Sequence, residues 1–204
     1  MVPNFATAAK RRNVVGNFKT TLMQKTLILF LVILNNICHS QRITQKNFCK
    51  PNDEGSFFPL DLNTKKVTWR DTFYIEKRKQ IKNINGKDYV EFEQETEKDG
   101  TSLRYFREEN GTIYEYSLPH EKEWVRFNGK FEEGHSWKAA NGKDEYKLIS
   151  YNGELQTPFC KYKNLLVIEA QWPTGCLNFY YSKGIGFVGA SQDDKIIAYV
   201  TSLQ

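Results

Sequence analysis

Apolar and polar residues alternate along most of this chain, as they do in half-buried β-strands. In residues 87–94, Val90 and Phe92 alternate with Glu91 and Glu93. Successive strand residues point to opposite faces, so the apolar pair faces a core and the carboxylates face water. Aromatic residues, which suit such strands, make up 14% of the chain. No helical repeat of ten or more residues follows the leader, and the pattern therefore predicts an all-β domain.

Short turns separate the predicted strands. Asn-Gly occurs five times and Asp-Gly once. Both central residues of a type I′ turn need positive φ, which Asn, Asp and Gly adopt most easily, so these dipeptides predict antiparallel hairpins. Their number predicts a meander of about nine to eleven strands, and because open edges promote aggregation we expect a strongly curved sheet, an open barrel or a sandwich. The dipeptides begin at Asn85, Asp99, Asn110, Asn128, Asn141 and Asn152.

The most apolar stretch outside the leader is Leu165–Val188. It predicts two strands around the turn Gln171–Gly175, followed by a third segment that contains Gly184 and Gly186. Glycines inside a strand pattern mark a sharp bend or the close approach of another backbone. Trp69 is interpreted as a core anchor, because large aromatic side chains usually supply buried area.

Residues 1–40 form a predicted leader. The apolar run Thr26–Leu34 follows Lys25 and precedes small residues, which is the pattern of a secretory signal peptide cleaved after Ser40. The run is too short to cross a bilayer, which takes about 20 residues. Met23 begins a more ordinary signal peptide, so we hypothesise that translation starts there; the alternative is a signal peptide with an unusually long basic segment before the apolar run.

The mature chain is therefore expected to be secreted or periplasmic, with no transmembrane segment. Lipidated cysteines normally follow a small residue, so Ile37 argues against a lipid anchor at Cys38. Residues 41–55 are predicted to be a loose segment and residues 56–204 a single β domain.

The charge of the mature chain does not favour nucleic acid as a partner. The leader carries five of the 29 Lys and Arg residues and no acidic residue, which leaves 24 basic and 24 acidic residues after cleavage. A neutral mature chain gives no reason to expect nucleic-acid binding.

Three cysteines follow the leader: Cys49, Cys160 and Cys176. An oxidising compartment allows one disulfide, and an odd number leaves one thiol over. If the 171–175 turn closes a regular hairpin, Cys176 faces Ala170 and lies too far from Cys160 unless the chain bends between them. Pairing of Cys49 with either partner is equally open.

Candidate catalytic and metal-binding residues are sparse. His120 and His135 lie in charged connections without a known metal-ligand spacing, so no metal, cofactor or catalytic residue is assigned. Glu91 and Glu93 share a strand face, as a glycosidase pair might require, but a solvated face explains them better.

Several motifs in order resemble a family. They are Phe57-Phe-Pro-Leu60 with Trp69, then Gly134-His-Ser-Trp137, Gln156-Thr-Pro-Phe-Cys160 and Tyr180-Tyr-Ser-Lys-Gly-Ile-Gly-Phe-Val188. This order resembles small secreted β-rich proteins of the Bacteroidota, whose function is unknown. The resemblance implies an envelope location and a β fold, and it supplies no catalytic residue.

Three functions are compatible with these features. The first is a non-catalytic envelope domain that binds a small ligand, a glycan or a protein, with an aromatic-lined concavity on a curved sheet. The second is an immunity or inhibitor protein against an exported toxin, which the small size and the acidic clusters of the chain allow. The third, with the least support, is a carbohydrate-active enzyme.

Overall fold

The computed structural model describes residues 48–49, 54–97, 100–172 and 175–203. The predicted leader and most of the predicted loose segment lie outside the described residues. Within the described part, the chain forms twelve strands, one single-turn 3-10 helix and no α-helix. The all-β prediction is confirmed, whereas the expected nine to eleven strands were too few.

All neighbouring strands are antiparallel and belong to one sheet. The strands are β1 (Thr64–Trp69), β2 (Thr72–Ile84), β3 (Lys87–Thr96), β4 (Gly100–Glu109), β5 (Thr112–Ser117), β6 (Lys122–Asn128), β7 (Ser136–Lys138), β8 (Glu145–Gln156), β9 (Lys161–Trp172), β10 (Gly175–Ser182), β11 (Gly186–Gln192) and β12 (Lys195–Leu203). The 3-10 helix, Leu118–His120, connects β5 to β6. A three-residue strand such as β7 is too short to show an alternating pattern, which helps to explain why the sequence underestimates the strand number.

The sheet consists of two meanders that meet in its centre. Its order is β6-β5-β4-β3-β2-β1-β12-β11-β10-β9-β8-β7, so the first and last strands are neighbours and β6 and β7 are the two edges. If flat, twelve strands would separate the edges by about 53 Å, yet the connection over residues 129–135 can span only about 28 Å. The sheet must therefore curl until its edges approach each other. It remains unclosed, because β6 and β7 do not pair.

Two Asn-Gly dipeptides form the tight turns that the sequence predicts. Asn85 and Gly86 have φ of 52° and 80°, and Asn110 and Gly111 have φ of 51° and 74°. A similar pair with positive φ, Asp193-Asp194, joins β11 to β12.

The other Asn-Gly dipeptides play different parts. Asn141-Gly142 lies in the longer loop between β7 and β8, and Asn128-Gly129 lies at the end of the edge strand β6. Asp99 lies outside the described residues. The hairpin turn predicted at Asn152-Gly153 is wrong, because both residues lie inside β8. A Cβ on Gly153 would come within 2.2 Å of the Val167 side chain, so this glycine allows two strands to approach closely at an irregular register.

The apolar core concentrates in the C-terminal meander. Leu165, Leu166, Val167 and Ile168 of β9 are all buried, so this strand is covered on both faces. Val67 from β1 extends the core to the centre of the sheet. The stretch singled out in the sequence is thus the middle of the core.

The hairpin in this stretch is tighter than predicted. Gly175 pairs with Trp172, which leaves only residues 173–174 between β9 and β10. Cys176 consequently faces Gln171, and Leu177 takes the predicted place opposite Ala170. The turn is shorter by two residues on the β9 side and one on the β10 side, and this unequal shortening shifts the register of the whole hairpin by one residue.

One disulfide joins Cys49 to Cys160, with 5.0 Å between their Cα atoms. Cys176 is a free, exposed thiol on β10. Phe48, next to the bridge, is buried in the core. The bridge therefore attaches the segment before β1 to the start of β9.

Candidate ligand cavity

The inner face of the curled sheet surrounds a cavity of about 300 Å³. Its wall draws on both meanders and on the segment before β1. Aromatic rings form most of the apolar wall. The rings without a hydroxyl group are Phe58, Trp69, Phe92, Phe106, Trp172, Phe179 and Phe187.

Strand register explains why charged side chains also reach this cavity. Lys65, Glu76 and Gln94 lie directly opposite one another on β1, β2 and β3. Arg104 of β4 faces Phe92 of β3, two residues from Gln94. Paired residues of an antiparallel sheet point to the same face, so the four polar groups form a patch among the rings.

Glu76 is held as a carboxylate within this patch. Lys65 Nζ lies 3.4 Å from Glu76 Oε1, and Gln94 donates to Oε2 at 2.6 Å. Burial alone would raise the pKa of Glu76, but the charges of Lys65 and Arg104 outweigh burial and lower it. A carboxylate with these partners is a poor proton donor near neutral pH.

Arg104 is paired with an acidic residue of its own. Its Nη2 lies 2.9 Å from Glu115 Oε1 and 3.0 Å from Oε2, and its Nε donates to Oε1 at 3.1 Å. The guanidinium also lies 4.7 Å from the centre of the Phe106 ring. The geometry matches the forked donor set of arginine to a carboxylate.

Arg126 lacks such a pair. Its Nη2 donates to the Tyr181 hydroxyl at 2.9 Å, and its nearest carboxylate oxygen among the described residues, on Glu115, lies 4.0 Å from Nε. Its guanidinium lies 5.1 Å from the centre of the Tyr146 ring and 5.6 Å from that of Trp124. Burial raises the pKa of Tyr181, so this partner is a neutral phenol.

A short segment before β1, residues 56–62, covers one side of the cavity and is called the strap here. Phe58 packs 4.5 Å from the Tyr181 ring, and Arg78 donates to the Leu60 carbonyl at 2.9 Å. The Gly184 N–H donates to the Ser56 carbonyl at 2.9 Å. The strap is thus attached to the β10–β11 turn and to β2.

Three residues singled out in the sequence lie around this cavity. Trp69 lines it. Gly184 and Gly186 have φ of 69° and 76°. A Cβ on Gly186 would come 3.2 Å from Pro59 Cδ of the strap. The structure therefore brings the Phe57–Leu60 motif against the Tyr180–Val188 motif, although more than a hundred residues separate them.

The remaining candidates lie elsewhere. His120 bonds to Ser117 at 2.9 Å, and the exposed His135 stacks on Phe131 with 3.9 Å between ring centres. Glu91 and Glu93 do not line the cavity. Glu91 is 7% exposed, so the expectation of a solvated strand face is wrong at this position. Among the described residues, no three His, Cys, Asp or Glu side chains group as metal ligands would.

Sequence reasoning missed the charged residues of the cavity. A weak signal exists in residues 103–106, where Arg104 has the same strand parity as Phe106. A charged residue at an inward position is unusual, because burial of an unpaired charge is costly. Its partners Glu115 and Glu76 could not be identified without the register.

No family model and no curated protein matches this sequence significantly. Two crystal structures are similar to it. One is a Bacteroides fragilis protein with a YmcC-like fold, provisionally classed as exported, at 11% identity and a TM-score of 0.41 over 76% of this chain and 97% of that one. The other is a Parabacteroides distasonis protein provisionally classed as a lipoprotein, at 12% identity and a TM-score of 0.39 over 75% of this chain and 100% of that one. At these values, neither structure indicates what this chain binds.

The described residues contain no helix with the length and apolar character needed to cross a membrane.

Proposed function

We propose that this protein is a non-catalytic binding domain whose cavity holds a small, largely apolar molecule. The observation that carries the proposal is the aromatic-lined cavity of about 300 Å³ at the centre of the curled sheet. Its volume lies at the lower end of the range of small-molecule sites, about 300–1,000 Å³. A wall of rings with a few fixed polar groups is the usual composition of such sites.

The polar groups of the cavity favour binding over catalysis. Glu76 is bonded by Lys65 and Gln94, and Arg104 is bonded by Glu115. A general acid or nucleophile needs a group free to react, and saturated carboxylates are suited to holding a fixed charge pattern instead. The glycosidase pair considered from the sequence, Glu91 and Glu93, lies outside this cavity.

Export of the mature chain is part of the proposal. The Cys49–Cys160 bridge supports it, because structural disulfides persist in oxidising compartments. The inhibitor role stays a prediction. It would gain weight if the cavity bound no small molecule and the protein co-purified with a toxin.

Fluorescence titration with phenylnaphthylamine tests the proposal, because this neutral probe brightens in an apolar site. We expect saturable binding by the wild type. Leu62→Trp places a larger side chain at the cavity wall and should weaken binding about tenfold, which corresponds to about 1.4 kcal/mol. Leu103→Trp is the matched control, because Leu103 is 43% exposed and does not line the cavity.

The two variants distinguish the cavity from the surface. Equal affinities of the Leu62→Trp and Leu103→Trp proteins would place the probe elsewhere and refute the cavity as the site. Absence of saturable binding by the folded wild type, both of this probe and of an analogue with the same rings and a sulfonate group, would refute the proposal as well.

A further inference from the structure

The cavity wall carries more positive than negative charge. Among the described residues, Lys65, Arg104 and Arg126 are its basic members, and Glu76 is its acidic member. Glu115 bonds to Arg104 and adds one further negative charge. One positive charge is therefore in excess, and the contacts assign it to Arg126, since Lys65 and Arg104 each have a carboxylate within 3.4 Å.

The contacts of Arg126 do not neutralise it. Glu115 Oε2 lies 4.0 Å from Nε and is already bonded by Arg104. The other contacts are hydrogen bonds with the side chains of Tyr181 and Tyr146 and the faces of aromatic rings. The Arg126 side chain is only 12% exposed, so water solvates it little.

Ring contacts do not offset this burial. A cation–π contact stabilises a cation by less than removing the ion from water costs, even after relaxation. A buried guanidinium held between rings and phenols is therefore under-compensated when no anion is present. An anion beside it would gain a strong, charge-assisted hydrogen bond.

We propose that the ligand of this cavity is an amphipathic anion, with an apolar body among the rings and a carboxylate or sulfonate group on Arg126. This inference rests on the proposed function and specifies its ligand class. The rings supply contact area for the body. Arg126 supplies orientation and selects against neutral and cationic molecules of the same shape.

Two probes with the same ring system separate the charge from the apolar contact. Anilinonaphthalene sulfonate carries a sulfonate, and phenylnaphthylamine lacks it. We expect the wild type to bind the sulfonate at least about tenfold more tightly than the neutral probe. In Arg126→Gln, the sulfonate should lose about tenfold more affinity than the neutral probe loses.

Arg70→Gln is the matched control, because it removes the same charge from an exposed turn residue that does not line the cavity. It should change neither affinity. Arg126→Lys keeps the charge and should keep most of the preference for the sulfonate. It also serves if Arg126→Gln fails to fold, as circular dichroism would reveal.

Each outcome is decisive. If the neutral probe binds but the wild type and Arg126→Lys show no preference for the sulfonate, the anion inference is overturned and the cavity function stands. An equal loss of both probes in folded Arg126→Gln overturns it too. If neither probe binds the wild type, the proposed function fails and the inference fails with it.

Discussion

Arg126 donates from Nη2 to the hydroxyl oxygen of Tyr181 at 2.9 Å, and this bond joins the edge strand β6 to β10 across the interior of the curled sheet. The two residues are 55 positions apart and belong to different meanders. Because β6 and β7 do not pair, contacts across the interior hold the first meander over the second. The bond therefore supports both the curvature and the position of the guanidinium in the cavity.

Removal of this hydroxyl should be costly. Tyr181→Phe is expected to lower the free energy of unfolding by about 1.5–3 kcal/mol, as for hydrogen bonds to charged groups. Tyr180→Phe is the matched control, since its hydroxyl bonds to the neutral Ser191 Oγ at 3.1 Å and should contribute about 1 kcal/mol. Urea unfolding measures both. Equal losses would show that the Arg126 bond contributes no more than an ordinary one.

A comparison of two glycine substitutions can separate the stability cost of the close approach at Gly186 from the cost of its backbone conformation. Gly186→Ala must accommodate φ of 76° and a Cβ 3.2 Å from Pro59 Cδ. Gly86→Ala meets a similar φ of 80° with nothing within 4 Å, and should cost about 1 kcal/mol. We expect Gly186→Ala to cost about 1–2 kcal/mol more, because the strap must shift in a packed wall.

That shift should also reach the cavity, since Pro59 lines it. Gly186→Ala is therefore expected to weaken phenylnaphthylamine binding about threefold or more. Gly86→Ala should leave the affinity unchanged. Unfolding curves and probe titrations that showed the same behaviour for both variants would contradict a role for the strap.

The disulfide should stabilise the fold through its long loop. Cys49 and Cys160 are 111 residues apart, and a loop of this order limits the freedom of the unfolded chain. Cys49→Ser is expected to lower the free energy of unfolding by about 2–4 kcal/mol. Cys176→Ser removes the exposed free thiol and should leave stability within about 0.5 kcal/mol. A reductant should lower the Tm of the wild type and leave that of Cys49→Ser unchanged.

A pH-dependent contribution is expected from Glu123. Arg107 donates to it from Nη2 at 2.8 Å, and Lys87 and Tyr89 donate as well. The hydrogen bonds of Arg107 lower the pKa of Glu123 to about 2, against the opposing effect of burial. In an unfolded chain the pKa of a glutamate is about 4.3. Folding therefore favours the ionised form, and this stabilisation is complete above pH of about 4.3 and is lost as pH falls through about 2.

Glu123→Gln should accordingly lower the free energy of unfolding by about 2 kcal/mol at neutral pH, and the difference from the wild type should shrink steadily below pH of about 4. Glu109→Gln is the control, because its partner is also Arg107 but its side chain is 57% exposed. Exposed pairs contribute at most about 1 kcal/mol. A Glu123→Gln deficit that did not depend on pH would mean that packing, and not charge, explains it.

The sequence predicts some contacts better than others. The turns at Asn85 and Asn110 follow from the dihedral preferences of two adjacent residues, so local sequence suffices. Gly153 has the same dipeptide but a different role, because Val167 of the next strand approaches it closely. Whether an Asn-Gly dipeptide forms a tight turn therefore depends on neighbours that are not adjacent in sequence.

The candidate site shows the same limit. Residue type predicted Trp69 only as a core anchor; it packs against the core and also lines the cavity, which the sequence did not indicate. The role of Arg126 could not be predicted from the sequence. It depends on the nearby Tyr181 and on the absence, among the described residues, of a carboxylate closer than that of Glu115 at 4.0 Å. The cavity itself is a property of curvature, and no local pattern specifies how far a sheet curls.

Local residue patterns were enough to predict the all-β class, the antiparallel hairpins and the most apolar stretch, which lies at the centre of the core. These depend on side-chain alternation and on backbone preferences of one or two residues. The folded structure was needed to establish the order of the twelve strands, the pairing of Cys49 with Cys160 and the contact of the two motifs at the strap. Those features arise where distant segments share register and space, and the free energy that selects them comes from packing and charge pairing across the whole sheet.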